Sequence, residues 1–174
     1  MTIHEMAIAV TSFVEIHQQW VIPLTFLFSF VESLAFLSLL APATTLLLAI
    51  GVLIGETNIP FLPVWLSAVA GAFLGDWVSY IIGYYYKDSV DNVWPFKERP
   101  ELLAKGHAFF AKWGVAGVFI GRFFGPIRAI IPLVAGICAM PKFHFQMTNI
   151  ASAIVWASAM LFPGAFGFPM LFHW

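Results

Sequence analysis

Arg122 and Arg128 stand in an otherwise apolar stretch, Gly121-Arg-Phe-Phe-Gly-Pro-Ile-Arg128. An arginine at the centre of a membrane helix costs about 2.5–3.5 kcal/mol on insertion scales, so two in one segment need a partner, a pathway or a bend. Six residues apart, they would leave a common face in an unbroken helix. A break at Gly125 and Pro126 would let both guanidiniums converge near a hairpin tip. The planar guanidinium fork suits a phosphate, which makes an intramembrane arginine pair a candidate binding site for a lipid phosphate headgroup. The alternative is that both arginines snorkel to the headgroups as interfacial anchors.

Glu32 and Asp76 are the complementary charges, each alone in a long apolar run. Two roles stay open for them and are compatible: proton uptake and release in a low-dielectric site, or a counter-ion to Arg122 or Arg128. Sequence does not reveal which acid meets which arginine. The five histidines have no metal-ligand spacing and the single cysteine, Cys138, has no partner, so no metal and no cofactor are expected. There is no phosphate-binding Gly-Lys-Ser/Thr loop, and no nucleophile with an accompanying base, so the chain is not read as an enzyme.

These four charges need elements to hold them in lipid. Hydrophobic residues make up 61% of the 174 residues and charged ones 10%, and the mean hydropathy is +0.90. That is more apolar surface than a soluble domain of this size buries. A net charge of −1 offers no basic field for nucleic acid. No Lys or Arg precedes Lys87, the reverse of a signal peptide's positive start, so the first segment is expected to stay in the mature protein.

The expected fold is an all-α integral membrane protein with about three to four transmembrane helices plus two re-entrant helical hairpins, arranged as an inverted repeat would be, with interfacial amphipathic helices. It forms a single membrane domain over residues 1–174. Residues 1–19 read as an interfacial N-terminal helix. Residues 20–86 hold a first span (20–40, with Pro23 near its start), a break at Pro42, a re-entrant stretch too short to cross (43–55) and a second span from Pro63. Residues 87–113 form a polar, amphipathic connector carrying five of the eight Lys/Arg, with a slight preference for the cytoplasmic side. Residues 114–174 hold a second re-entrant hairpin, broken at Gly125, Pro126 and Pro132, and a last span with Trp156 and Trp174 as interface anchors. Small residues from Ala68 to Gly83 suit close helix contact, within the chain or in a homo-oligomer.

Three stretches together resemble the DedA family of bacterial membrane proteins, within the wider VTT-domain group. They are Glu32-Ser-Leu with Pro42; Gly71-Ala-Phe-Leu-Gly-Asp76 with Tyr80 and Gly83; and the Gly121 to Arg128 stretch continuing through Pro132, Ala135, Gly136, Met140, Phe145, Asn149 and Trp156. The resemblance implies a multi-pass protein of the bacterial inner (cytoplasmic) membrane with two opposed hairpins. It further implies movement of a lipid between leaflets, with undecaprenyl phosphate, a polyprenyl phosphate, as the leading substrate and protons as a coupling ion. Glu32, Arg122 and Arg128 fall on the family's functional positions. Pro42-Ala-Thr44 lacks the carboxylate that many members carry at this first tip, which leaves proton coupling in doubt or moves it onto Glu32. Energy-independent phospholipid scrambling, a membrane enzyme acting on lipid phosphates and a non-catalytic assembly protein are the competing readings.

Overall fold

The computed structural model describes residues 18–34, 43–57, 59–89, 100–124, 128 and 130–167. All regular structure among them is helical: α1 Gln18–Ser33, α2 Ala43–Glu56, α3 Phe61–Tyr86, α4 Pro100–Gly121, α5 Ile130–Ile137 and α6 Lys142–Phe162, continued by a π-helical turn Pro163–Gly167. The expected interfacial helix before residue 18, the breaks at Pro42, Gly125 and Pro126, and Trp174 lie outside the described residues.

Two helices are long and apolar enough to cross a membrane, Phe61–Tyr86 and Lys142–Gly167. Only 33% and 39% of their most apolar stretches are buried inside the protein. Leu62, Leu66, Trp77, Val78, Ile81 and Ile82 of α3 point outward, as a helix apolar on every side does when lipid is its solvent. The inner face of α3 is built from small residues instead. A side chain at Gly71 or Gly75 would strike the backbone carbonyl of Phe26 or of Phe30 in α1, so these glycines let two backbones touch where lipid supplies no hydrophobic drive to association.

Among the described residues helix α1 runs to Ser33, and Leu34 N–H bonds back to Phe30 O at 3.1 Å and Val31 O at 3.3 Å. Pro23 sits inside α1, beyond its first turn. Helix α1 runs alongside α3 in the same direction, because Phe26 meets Gly71, Phe30 meets Gly75 and Ser33 meets Ser79. Helix α2 runs the opposite way, its Gly51 against Leu161 and its Gly55 against Gly164 and Ala165. The α1–α2 pair therefore begins and ends at the Pro60 end of α3.

Helix α4 is two helices joined at a kink, where Gly114 has φ 49° and ψ −130°. Only glycine adopts that conformation readily. The kink divides an amphipathic arm before it from residues 115–121 after it. Residues 115–121 and α5 form a second antiparallel pair: Val115 shares a cavity with Cys138 and Met140 at one end, and Gly121 meets Ile131 at the other. Pro132 does not break this pair. It is the third residue of α5 and buried there, in the first turn, where its missing N–H would have had no helical acceptor.

Helix α6 lies antiparallel to α3. Tyr80 stacks on Phe145 with centroids 4.2 Å apart, Trp65 Nε1 donates to Ser158 Oγ at 3.0 Å, and Phe61 meets Phe162 at 5.0 Å. Tyr80 also donates to the Met140 carbonyl at 2.5 Å, fixing the start of α6 against the last third of α3. At the far end Lys87 and Lys142 both lie over the Tyr84 ring, at 5.7 and 4.9 Å from its centroid. The α1–α2 pair thus rises from the Pro60 end, the second pair descends from the Lys87 end, and they meet partway along α3.

Candidate functional site

The meeting point holds all four of the intramembrane charges. Asp76 lies 15 residues into α3, roughly 22 Å along a helix of roughly 39 Å at 1.5 Å per residue. It is buried, and its Oδ2 pairs with Arg122 Nη1 at 2.8 Å. Arg128 Nη2 pairs with Glu32 Oε1 at 2.6 Å and lies 3.4 Å from the Glu32 carbonyl. The pairing that sequence left open is therefore crosswise. Each arginine of the second hairpin takes one acid, Arg122 from the spanning helix α3 and Arg128 from α1.

Chain geometry explains how both guanidiniums arrive. Helix α4 ends at Gly121, so Arg122 is the first residue beyond the helix, and Arg128 is the last but one before α5. Because α4 ends before Arg122 and α5 begins after Arg128, no single helical register separates the two side chains. Trp156 of α6 completes the arrangement. Its ring lies 4.8 Å from the Arg128 guanidinium carbon and 5.9 Å from that of Arg122, close enough for both cations to feel the aromatic quadrupole. Sequence reading placed Trp156 at the interface; it is instead 2% exposed, in the interior between the arginines.

Two residues that sequence reading assigned no role complete the Arg122 shell. Arg122 Nη1 faces Asn149 Oδ1 at 3.0 Å, Asn149 O at 3.3 Å and Ser152 Oγ at 2.9 Å. Asn149 in turn donates through Nδ2 to the Phe73 carbonyl at 3.0 Å, and Ser152 donates to Asn149 O at 3.0 Å. The spacing Asn149, Ser152, Trp156 places all three on one face of a helix, a polar stripe on an apolar helix that could have marked them. Four oxygens crowd one terminal nitrogen of Arg122. Its other terminal nitrogen, Nη2, is buried without an acceptor among the described residues, and so is Trp156 Nε1.

Formal charges cancel, two arginines against two carboxylates, which is what burial demands of such a cluster. Chemically, the site can exchange partners: an anion reaching the guanidiniums competes with the carboxylates, and a proton on either carboxylate loosens its hold. No group of three His, Cys, Asp or Glu able to hold a metal occurs among the described residues.

Two helices fit to cross a membrane and an arginine–carboxylate cluster in the protein interior beside them define an all-helical membrane protein with paired charges inside it. The VTT domain matches residues 41–166, and the chain belongs to the DedA family of VTT-domain membrane proteins. It is 39% identical over 136 residues to the membrane protein BU139 of Buchnera aphidicola subsp. Acyrthosiphon pisum, covering 78% of this chain and 53% of the relative. It is 34% identical over 139 residues to the inner membrane protein YabI of Escherichia coli, covering 79% and 54%. With the inner membrane protein YqjA of Escherichia coli the identity is 32% over 117 residues, covering 66% and 53%. The chain spans about half the length of these curated relatives. No solved structure gives a significant match.

Proposed function

We propose that this chain is a carrier that moves a lipid phosphate, foremost undecaprenyl phosphate, between the leaflets of a bacterial inner membrane. One observation carries the reading: a buried and a part-buried guanidinium share the Trp156 ring in the interior, and Arg122 keeps one terminal nitrogen without an acceptor among the described residues. A phosphate offers the oxygens to fill that position and the charge to displace a carboxylate. The two antiparallel pairs act as re-entrant hairpins in an inverted repeat, so that rocking one against the other exposes the cluster to each side in turn, the layout of carriers with broken helices at the midplane. Protonation of Glu32 or Asp76 releases an arginine for the phosphate, which is how a proton gradient would couple. The role is transport without covalent chemistry.

Transport of undecaprenyl phosphate and of an ordinary phospholipid in proteoliposomes, with and without a pH gradient, tests this. Hydrogen bonds to charged groups contribute about 1.5–3 kcal/mol each, so Arg122→Ala/Arg128→Ala should slow the polyprenyl phosphate about 100-fold or more. Unchanged movement in the folded double variant would refute the arginine clamp. Equal movement of both lipids, indifferent to the gradient, would favour scrambling.

Orientation follows the same reading. Apart from Arg122 and Arg128, every Lys and Arg of this chain lies in residues 87–112 or at Lys142, and Lys87 and Lys142 meet at one end of the bundle. Counting Lys and Arg alone, as the positive-inside rule requires, gives six against none and a cytoplasmic Lys87 end. In right-side-out membranes of a Cys138→Ala background, a cysteine at Thr57 should react with an impermeant maleimide and one at Lys112 should not; the opposite pattern inverts the topology.

A further inference from the structure

A cavity of about 750 Å³ runs between the amphipathic arm of α4 and the second hairpin, outside the arginine cluster. Phe109, Trp113, Ile120, Phe124 and Ile130 line it, and Lys105 is the only charged residue on its wall among the described residues. That volume and apolar lining are typical of a ligand pocket. Its two ends differ. Lys105 belongs to the arm, which is held at the Lys87 end of the bundle because Phe110 packs with Tyr80 and Met140. The other end is the close of α4, where the lining residues Gly121 and Phe124 flank Arg122 in sequence.

Glycines keep the walls where they are. A side chain at Gly117 would press on the Phe109 ring and one at Gly121 on the Ile131 side chain. Trp113, Ile120 and Phe124 remain 48%, 44% and 62% exposed, so the described residues do not fill the groove. A lipid of the Lys87-side leaflet fits this polarity, with an anionic head at Lys105 and an apolar chain reaching toward the depth of Arg122. Phe109, Phe110, Trp113 and Phe124 present aromatic surface along the way. A prenyl chain, stiffened by regular double bonds, loses less rotamer freedom on lying against such a wall than a saturated acyl chain does.

We infer that this groove is a loading subsite, in which a polyprenyl phosphate seats its phosphate at Lys105 and lays its chain along Trp113, Ile120 and Phe124 before the head moves to the arginine cluster. This rests on the carrier reading above and adds the recognition of chain chemistry to that of the head.

The test is photolabelling of the full chain in nanodiscs with a prenyl phosphate bearing a benzophenone at its chain end. Adducts are mapped by mass spectrometry, with undecaprenyl phosphate or phosphatidylglycerol as competitor. Labels on residues 109–124 that undecaprenyl phosphate competes at least tenfold better than phosphatidylglycerol support the subsite. Ile120→Trp, which fills the groove, should lower labelling about tenfold, and Lys105→Gln, on the exposed arm, should lower it severalfold without touching the packing. Equal competition by both lipids would make the groove a general acyl-chain surface and overturn the proposal. Labels elsewhere, with transport still dependent on Arg122 and Arg128, would overturn the subsite and leave the carrier standing. Transport indifferent to the arginines would instead remove the carrier reading itself.

Discussion

Asp76→Ala should destabilise the protein by about 3–5 kcal/mol, the penalty for leaving one member of a buried ion pair without its counter-charge. Arg122 is 6% exposed and its pairing nitrogen lies 2.8 Å from the Asp76 carboxylate. Asn149 and Ser152 remain as neutral partners for that nitrogen, and neutral oxygens do not cancel a charge held away from water. The informative comparison is Asp76→Leu/Arg122→Met. Removing both charges at similar volume is often neutral or stabilising by about 1–4 kcal/mol, so the double variant should melt at or above the wild-type temperature in detergent. It should also be inactive in proteoliposomes. Stability recovered with transport lost would separate the structural use of the pair from its use on a substrate. A double variant no more stable than Asp76→Ala would show that the pair also organises the surrounding helices, and transport by a stable double variant would remove Arg122 from the carrier site.

Gly83→Ala and Gly136→Ala come next in expected size. A side chain at Gly83 would collide with the backbone carbonyl of Leu133, and one at Gly136 with that of Tyr80. Neither carbonyl belongs to a flexible side chain that could swing away, so α3 and α5 must separate. Overpacking of this kind typically costs about 1–3 kcal/mol and occasionally more. Because both glycines serve one helix contact, the second substitution should add little once the first has forced the helices apart, a departure from additivity expected of residues in contact. Gly167→Ala is the control, since nothing lies within 4 Å of a side chain added there, and its melting temperature should stay close to wild type. Additive losses at Gly83 and Gly136 would mean that the two contacts are independent. The separation also bears on function, because Tyr80 and Gly136 belong to the contact that holds the second hairpin, and with it Arg128, against α3.

How far the site was legible depended on whether a residue's meaning is local. Arg122, Arg128, Glu32 and Asp76 stood out because an ionised group in an apolar run is costly wherever the chain goes. Asn149 and Ser152 carry no charge, and a polar residue of modest size can sit on a spanning helix for packing or a local hydrogen bond alone. Their part in the site emerges only when α6 lies against the end of α4. Trp156 was misread because indole rings are common at membrane interfaces; depth along α6 and the approach of two arginines decided otherwise.

The sequence by itself determined the solvent and the vocabulary. Composition demands lipid, apolar length sets α3 and α6, Gly114 permits the kink, and four isolated charges announce that something polar happens at depth. Those are consequences of chain-local physics, the transfer energy of side chains and the torsional freedom of single residues. Tertiary structure alone decided that α1 runs parallel to α3, that two antiparallel pairs enter from opposite ends, that Asp76 takes Arg122 while Glu32 takes Arg128, and that Trp156 lies between them. Each of these joins residues far apart in the chain, and the energy that selects among such pairings comes from helix packing and charge neutralisation across the fold.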